Sequence, residues 1–118
     1  MSRSPLLYLD DLIASAEKIG RLTAGRSVEQ LVLDEAAFDA VLFNLQVIGG
    51  AVKKLPDDLL AGLSAVHQTA PARLRDLIAH HYFALDADIV WEVAQTHVPA
   101  LLREALALRA QLDQPGSR

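Results

Sequence analysis

Between positions 34 and 55 the chain carries Phe38, Val41, Leu42, Leu45, Ile48, Gly49 and Val52, an apolar set repeating at three- and four-residue steps. That period belongs to a helix, because a half-buried strand alternates every second residue. The stripe is too broad for a single neighbour, so this helix must be enclosed by at least two others. In a chain of 118 residues, that requirement points to an all-α fold, an antiparallel four-to-five-helix bundle. No strand-length alternation, internal repeat, low-complexity run or interdomain linker competes with it. One domain over 1–118 is expected, long enough to bury a core without disulfide or metal staples.

The flanking segments read the same way. Ser4-Pro5 opens a first helix, since proline at the first turn gives up an N–H that has no partner there anyway. Leu6, Leu9, Leu12, Ile13, Ala16 and Ile19 form its apolar side, with Asp10, Asp11, Glu17 and Lys18 on the wet side. Gly25 suits a left-handed stop, and Ser27-Val28-Glu29-Gln30 has the capping-box pattern of a short helical turn. Two glycines, Gly49 and Gly50, interrupt the central helix at roughly 1 kcal/mol each. A close helix crossing or a kink there would account for them. Pro56 ends that helix, and Asp57-Asp58 would cap a short turn over 59–63. Residues 64–70 read as either helix or loop. Pro71 fits the first turn of a helix over about 72–81, capped by Thr69 or Ala70. Asp86 or Asp88 would cap a last helix that points Ile89, Val90, Val93, Leu101, Ala105, Leu108 and Leu112 inward, with a kink near His97-Val98 forced by Pro99. Residues 113–118 form a frayed tail.

Composition narrows the chemistry. There is no cysteine, hence no disulfide framework and no thiolate metal site. The four histidines, His67, His80, His81 and His97, show no metal-ligand spacing, so neither metal nor cofactor is expected. Met1 to Pro5 lack the apolar core of a signal peptide and no apolar run approaches membrane-spanning length, which leads us to expect a cytoplasmic protein without a membrane role. The net charge of −4 argues against a bulk electrostatic grip on nucleic acid. Any such contact has to be local, and Arg73, Arg75, His80 and His81, broken only by Asp76 among charged residues, supply the patch.

Within it, Arg75 and His80 are the two groups that a metal-free phosphodiester-cleaving site needs. A guanidinium offers a fixed fork of donors to phosphate oxygens, and an imidazole titrating near neutrality takes a proton from a hydroxyl and returns one. On a straight helix residues five apart lie roughly 140° apart in azimuth, so the pair does not share a face. Either the helix ends or bends near His80, or two copies of the segment meet at a two-fold axis, the commonest homo-oligomer symmetry. By itself, such a pair is more often ordinary surface.

The pattern Arg75-Asp76, three residues, His80, any residue, Tyr82 resembles the signature of the HepT-like toxins of the HEPN superfamily. The run from Asn44 to Pro56, with its Ile48-Gly49 step and its Lys53-Lys54-Leu55-Pro56 exit, is similar to a helix of that family. Asp86, Ile89, Val90, Trp91, Val98, Pro99 and Leu101 fit the segment after the motif. The resemblance covers about 6–112. It implies a HEPN-like bundle and a toxin that cleaves RNA without a metal, Arg75 binding the phosphate and His80 acting as general base, with Asp76 and Tyr82 in support. It also implies a homodimer or higher even oligomer, and a cognate minimal nucleotidyltransferase antitoxin that adenylylates Tyr82. Two departures stand out: Asp76 occupies a place where Asn is frequent, and the Trp often found near the start of the motif helix is missing. The alternative is a non-catalytic helical module that binds a nucleotidyltransferase or its substrate.

Overall fold

The computed structural model describes residues 4–81 and 86–113, and of His81 the backbone only. The described residues form helices joined by short turns, without strands. Helix α1 (Pro5–Thr23) starts with proline in its first turn, and its buried side is Leu9, Leu12, Ala16 and Ile19. The N–H of Ala24 closes it on the Gly20 carbonyl. Gly25 then turns the chain at φ 72°, a conformation that glycine adopts without a Cβ penalty. The capping box opens α2 (Val28–Leu33) in full: the Gln30 N–H donates to Ser27 Oγ at 3.2 Å, and the Ser27 N–H donates to Gln30 Oε1 at 2.8 Å.

The central helix α3 (Glu35–Lys54) begins at Asp34, whose carboxylate accepts the Ala37 N–H. It ends at Leu55, ahead of Pro56. It packs against both α1 and α5 (Ala65–His81), as its broad stripe requires. By length and composition α3 is apolar enough to cross a membrane, contrary to the expectation that no run reaches that length. Half of its apolar window is buried within the bundle, as befits a helix enclosed on two sides.

Two expected boundaries and one expected facing are corrected. The short α4 (Asp57–Leu60) starts two residues early, with Pro56 at the cap and Asp57 and Asp58 in the first turn, making no side-chain cap bond. Helix α5 begins at Ala65, and Pro71 sits inside it. Neither Thr69 nor Ala70 is a cap. An interior proline costs a helix about 3 kcal/mol, and here the turns before it are anchored from outside. The Ser64 N–H donates to Glu104 Oε1 at 2.8 Å, and Gln68 Nε2 donates to the Leu63 carbonyl. Ile89 is half exposed, not inward, while its neighbour Val90 is fully buried.

Asp86 caps α6 (Ala87–Glu92) by accepting the Asp88 N–H. A π-helical turn (Val93–His97) then leads into α7 (Val98–Asp113), with Pro99 in its first turn. The kink expected near His97-Val98 is this widened turn. It places the proline where its missing donor belongs to a new helix. Helix α7 lies against α1, where Arg109 Nε donates to Asp10 at 2.9 Å, so Asp10 joins two helices instead of facing only water.

Candidate functional site

The arrangement around Arg75 follows from the two glycines of α3. A methyl group added to Gly49 would overlap the Pro71 carbonyl oxygen and lie 2.5 Å from Arg75 Cβ. Only hydrogen at that position lets the two backbones approach so closely. One residue on, Gly50 faces the Arg75 side chain, with Nε 3.5 Å and Cδ 3.9 Å from a Cβ built there. The close crossing, not a simple kink, therefore explains the glycines. The stem of Arg75 lies across them, and its side chain stays 42% exposed.

Beyond the crossing, a second cation arrives from α3. Lys53 lies three and four residues after the glycines, hence on the same helix face. Its Nζ is 4.0 Å from Asp76 Oδ1, and Arg75 Nη1 approaches the same oxygen at 3.5 Å. Asp76 thus sits between two cations from different helices. Among the described residues its ion-pair partners are these two and not His80. All three side chains are half exposed, and ion pairs of that kind contribute little stability.

His80 is exposed, and α5 remains helical through His81. No hydrogen bond joins Arg75 to His80 among the described residues, and the helix separates them by about 7.5 Å along its axis as well as in azimuth. Helix α5 does not end before His80, so a single chain does not bring guanidinium and imidazole together through this helix. Arg73 and Leu77 are also exposed on α5, whereas Ile78 is fully buried and fixes its inward side. Tyr82 lies outside the described residues, as does the tail from 114 onward.

His67 and His97 belong elsewhere. His67, near the start of α5, is buried, with Nδ1 2.9 Å from Glu104 Oε2 and 3.1 Å from Ser64 Oγ. Partial burial pushes the Glu104 carboxyl up, but hydrogen bonds from Ser64 and His67 outweigh it and hold the group below its ordinary value. Sequence reasoning missed this cluster, because Glu104 is 40 residues from Ser64 and nothing local announces it. It also missed Lys53 as a neighbour of Asp76, although the spacing from the glycines was a usable signal. His67 and His97 line an apolar cavity of about 250 Å³ between α3, α5 and α7, together with Ile48, Leu74 and Leu101. That lining does not suit a phosphate, and neither Arg75 nor His80 contributes to it. Among the described residues, no three His, Asp or Glu side chains converge as a metal-binding group.

Comparison with known proteins adds an independent line. The family model described as "Ribonuclease HepT-like" matches residues 12–108. A Methanocaldococcus jannaschii protein that carries RNase in its name is 33% identical over 97 residues, covering 82% of this chain and 80% of that protein. A second protein from the same organism, also carrying RNase in its name, is 32% identical over 91% of this chain and 92% of its own. A Thermococcus cleftensis protein bearing the name ribonuclease HepT is 31% identical over 86% and 92%. No solved structure matches the chain.

Proposed function

We propose that this chain, which belongs to the ribonuclease HepT-like family of the HEPN superfamily, is an endoribonuclease that cleaves RNA without a metal ion. The observation that carries this reading is Arg75, braced over Gly49 and Gly50 with its guanidinium open to solvent, on the helix that also exposes His80. His80 removes the proton of a ribose 2′-hydroxyl, whose oxygen attacks the adjacent phosphorus. The P–O5′ bond breaks, the leaving oxygen takes a proton, and a 2′,3′-cyclic phosphate remains. Arg75 holds the phosphate oxygens and stabilises the charge that builds up in the transition state.

Because one α5 keeps Arg75 and His80 apart, the competent site is composite. Two chains meet along α5, and the two His80 side chains divide the base and acid roles. The exposed apolar residues Val66 and Leu77 on this helix support such a contact, and the assembly is a homodimer or a higher even oligomer. In the cell the protein is a cytoplasmic toxin, neutralised when a cognate nucleotidyltransferase adenylylates Tyr82 and fills the shared cleft with a charged nucleotide.

The test is cleavage of single-stranded RNA in chelator by wild type, Arg75→Ala and His80→Ala. Loss of a general base or a phosphate clamp costs roughly 100-fold or more. Equal cleavage by all three proteins would remove the proposal. An intact-mass measurement after incubation with the partner and ATP tests the modification, which fails if Tyr82 stays unmodified.

A further inference from the structure

We infer that Lys53 is a second phosphate-binding residue, gripping the RNA backbone beside Arg75, and that Asp76 occupies the phosphate's place when RNA is absent. This deepens the ribonuclease reading and rests on it. Lys53 Nζ and Arg75 Nη1 come from different helices, yet both lie within 4.0 Å of one Asp76 oxygen. A carboxylate oxygen between two cations has the charge and acceptor character of a phosphate oxygen. The three side chains are 57%, 42% and 52% exposed, so an incoming phosphodiester reaches both cations without displacing any core. The ion pairs themselves are too exposed to explain the arrangement by stability. The Gly49-Gly50 crossing brings Lys53 to that spot, because its face of α3 lies against Arg75. Lys54 follows directly in the chain and has no ion pair to Asp76, which makes it the charge-matched control.

The experiment measures binding of a single-stranded RNA oligonucleotide made uncleavable by 2′-O-methylation, at several salt concentrations, with melting temperatures in parallel. Lys53→Met should weaken binding about five- to tenfold and flatten the dependence of log affinity on log salt by about 0.7, the share of one phosphate contact on a single strand. Lys53→Arg should restore most of it, and Lys54→Met should change affinity less than about twofold. Asp76→Asn should tighten binding about two- to threefold, since it removes the competing anion. Melting temperatures should stay with wild type throughout. Unchanged binding in Lys53→Met, an equal loss in Lys54→Met, or weaker binding in Asp76→Asn would overturn the inference. Because the probe is not cut, the two readings fail separately. Lys53-dependent binding without cleavage of ordinary RNA would sink the nuclease and keep the phosphate site, whereas Arg75-dependent cleavage untouched by Lys53→Met would do the reverse.

Discussion

The two ends of α5 use the same residue types for opposite purposes. Near its start, His67 is buried against Glu104 and Ser64, and its imidazole fastens α5 to α7. Near its finish, His80 is exposed, and an arginine, a carboxylate and a lysine gather on the helix flank facing α3. A buried polar group is costly unless its hydrogen bonds are met, so the first cluster is committed to structure. Half-exposed charges gain little from one another, so the second adds little to the stability of the fold. Burial, not residue type, separates the anchored imidazole from the one open to solvent.

The sharpest way to break this contrast is to exchange the two histidines' fates. His80→Ala should lose activity by roughly 100-fold or more while melting like wild type. His67→Ala should unfold about 2–3 kcal/mol more easily yet cleave normally once folded, because it removes buried volume and takes away one of Glu104's two partners, leaving Ser64. Urea denaturation and initial rates on both variants decide it, and an activity loss in folded His67→Ala would erase the distinction. Next in size is the crossing between the two ends. Gly49→Ala pushes a methyl into the backbone of Pro71 and should cost about 1–3 kcal/mol. Gly50→Ala meets only the Arg75 side chain at ordinary contact distance, and improved helix propensity should make it neutral or stabilising by up to about 1 kcal/mol. Equal stabilities for the two alanine variants would mean that the helices do not cross where we place the contact.

Acid sharpens the comparison further. The Glu104 carboxyl is held below its ordinary value of 4.5. Its stabilising contribution is therefore complete above the unfolded pKa and disappears as pH falls through the folded one. Melting temperature should drop below about pH 4.5 more steeply in wild type than in Glu104→Gln, whose curve lacks that component. An identical acid profile would mean that the knot at the start of α5 does not bear on stability. The smallest effect lies far from both ends: Ser27→Ala, which removes one half of the α2 capping box, should cost about 1 kcal/mol without altering cleavage.

Much of this was legible from the chain alone. The width of the α3 stripe demanded neighbours on two sides, and α1 and α5 are there. Ser27 and Gln30 announced their reciprocal cap, Asp34 and Pro56 bracketed the long helix, and Pro99 marked the kink. Each rests on contacts within a few residues, which sequence displays directly. The start of α5 was misread because Pro71 looked like a first-turn residue, while the bonds that let the helix extend past it come from Glu104, far along the chain. Ile89 was misplaced by one position around a helix because α6 is too short for its period to fix a face.

For the site, the order of residues supplied the chemistry: a guanidinium, a carboxylate and an imidazole on one helix, with a glycine pair elsewhere that had to be there for something. Only the folded chain decided that the glycines lie beneath Arg75, that Lys53 stands beside Asp76, and that His67 is an anchor while His80 is open to solvent. The reason is range. Helical period and capping are set by neighbours three or four residues away, whereas burial and charge pairing between helices depend on how closely their backbones approach, and that distance is a property of the packed bundle.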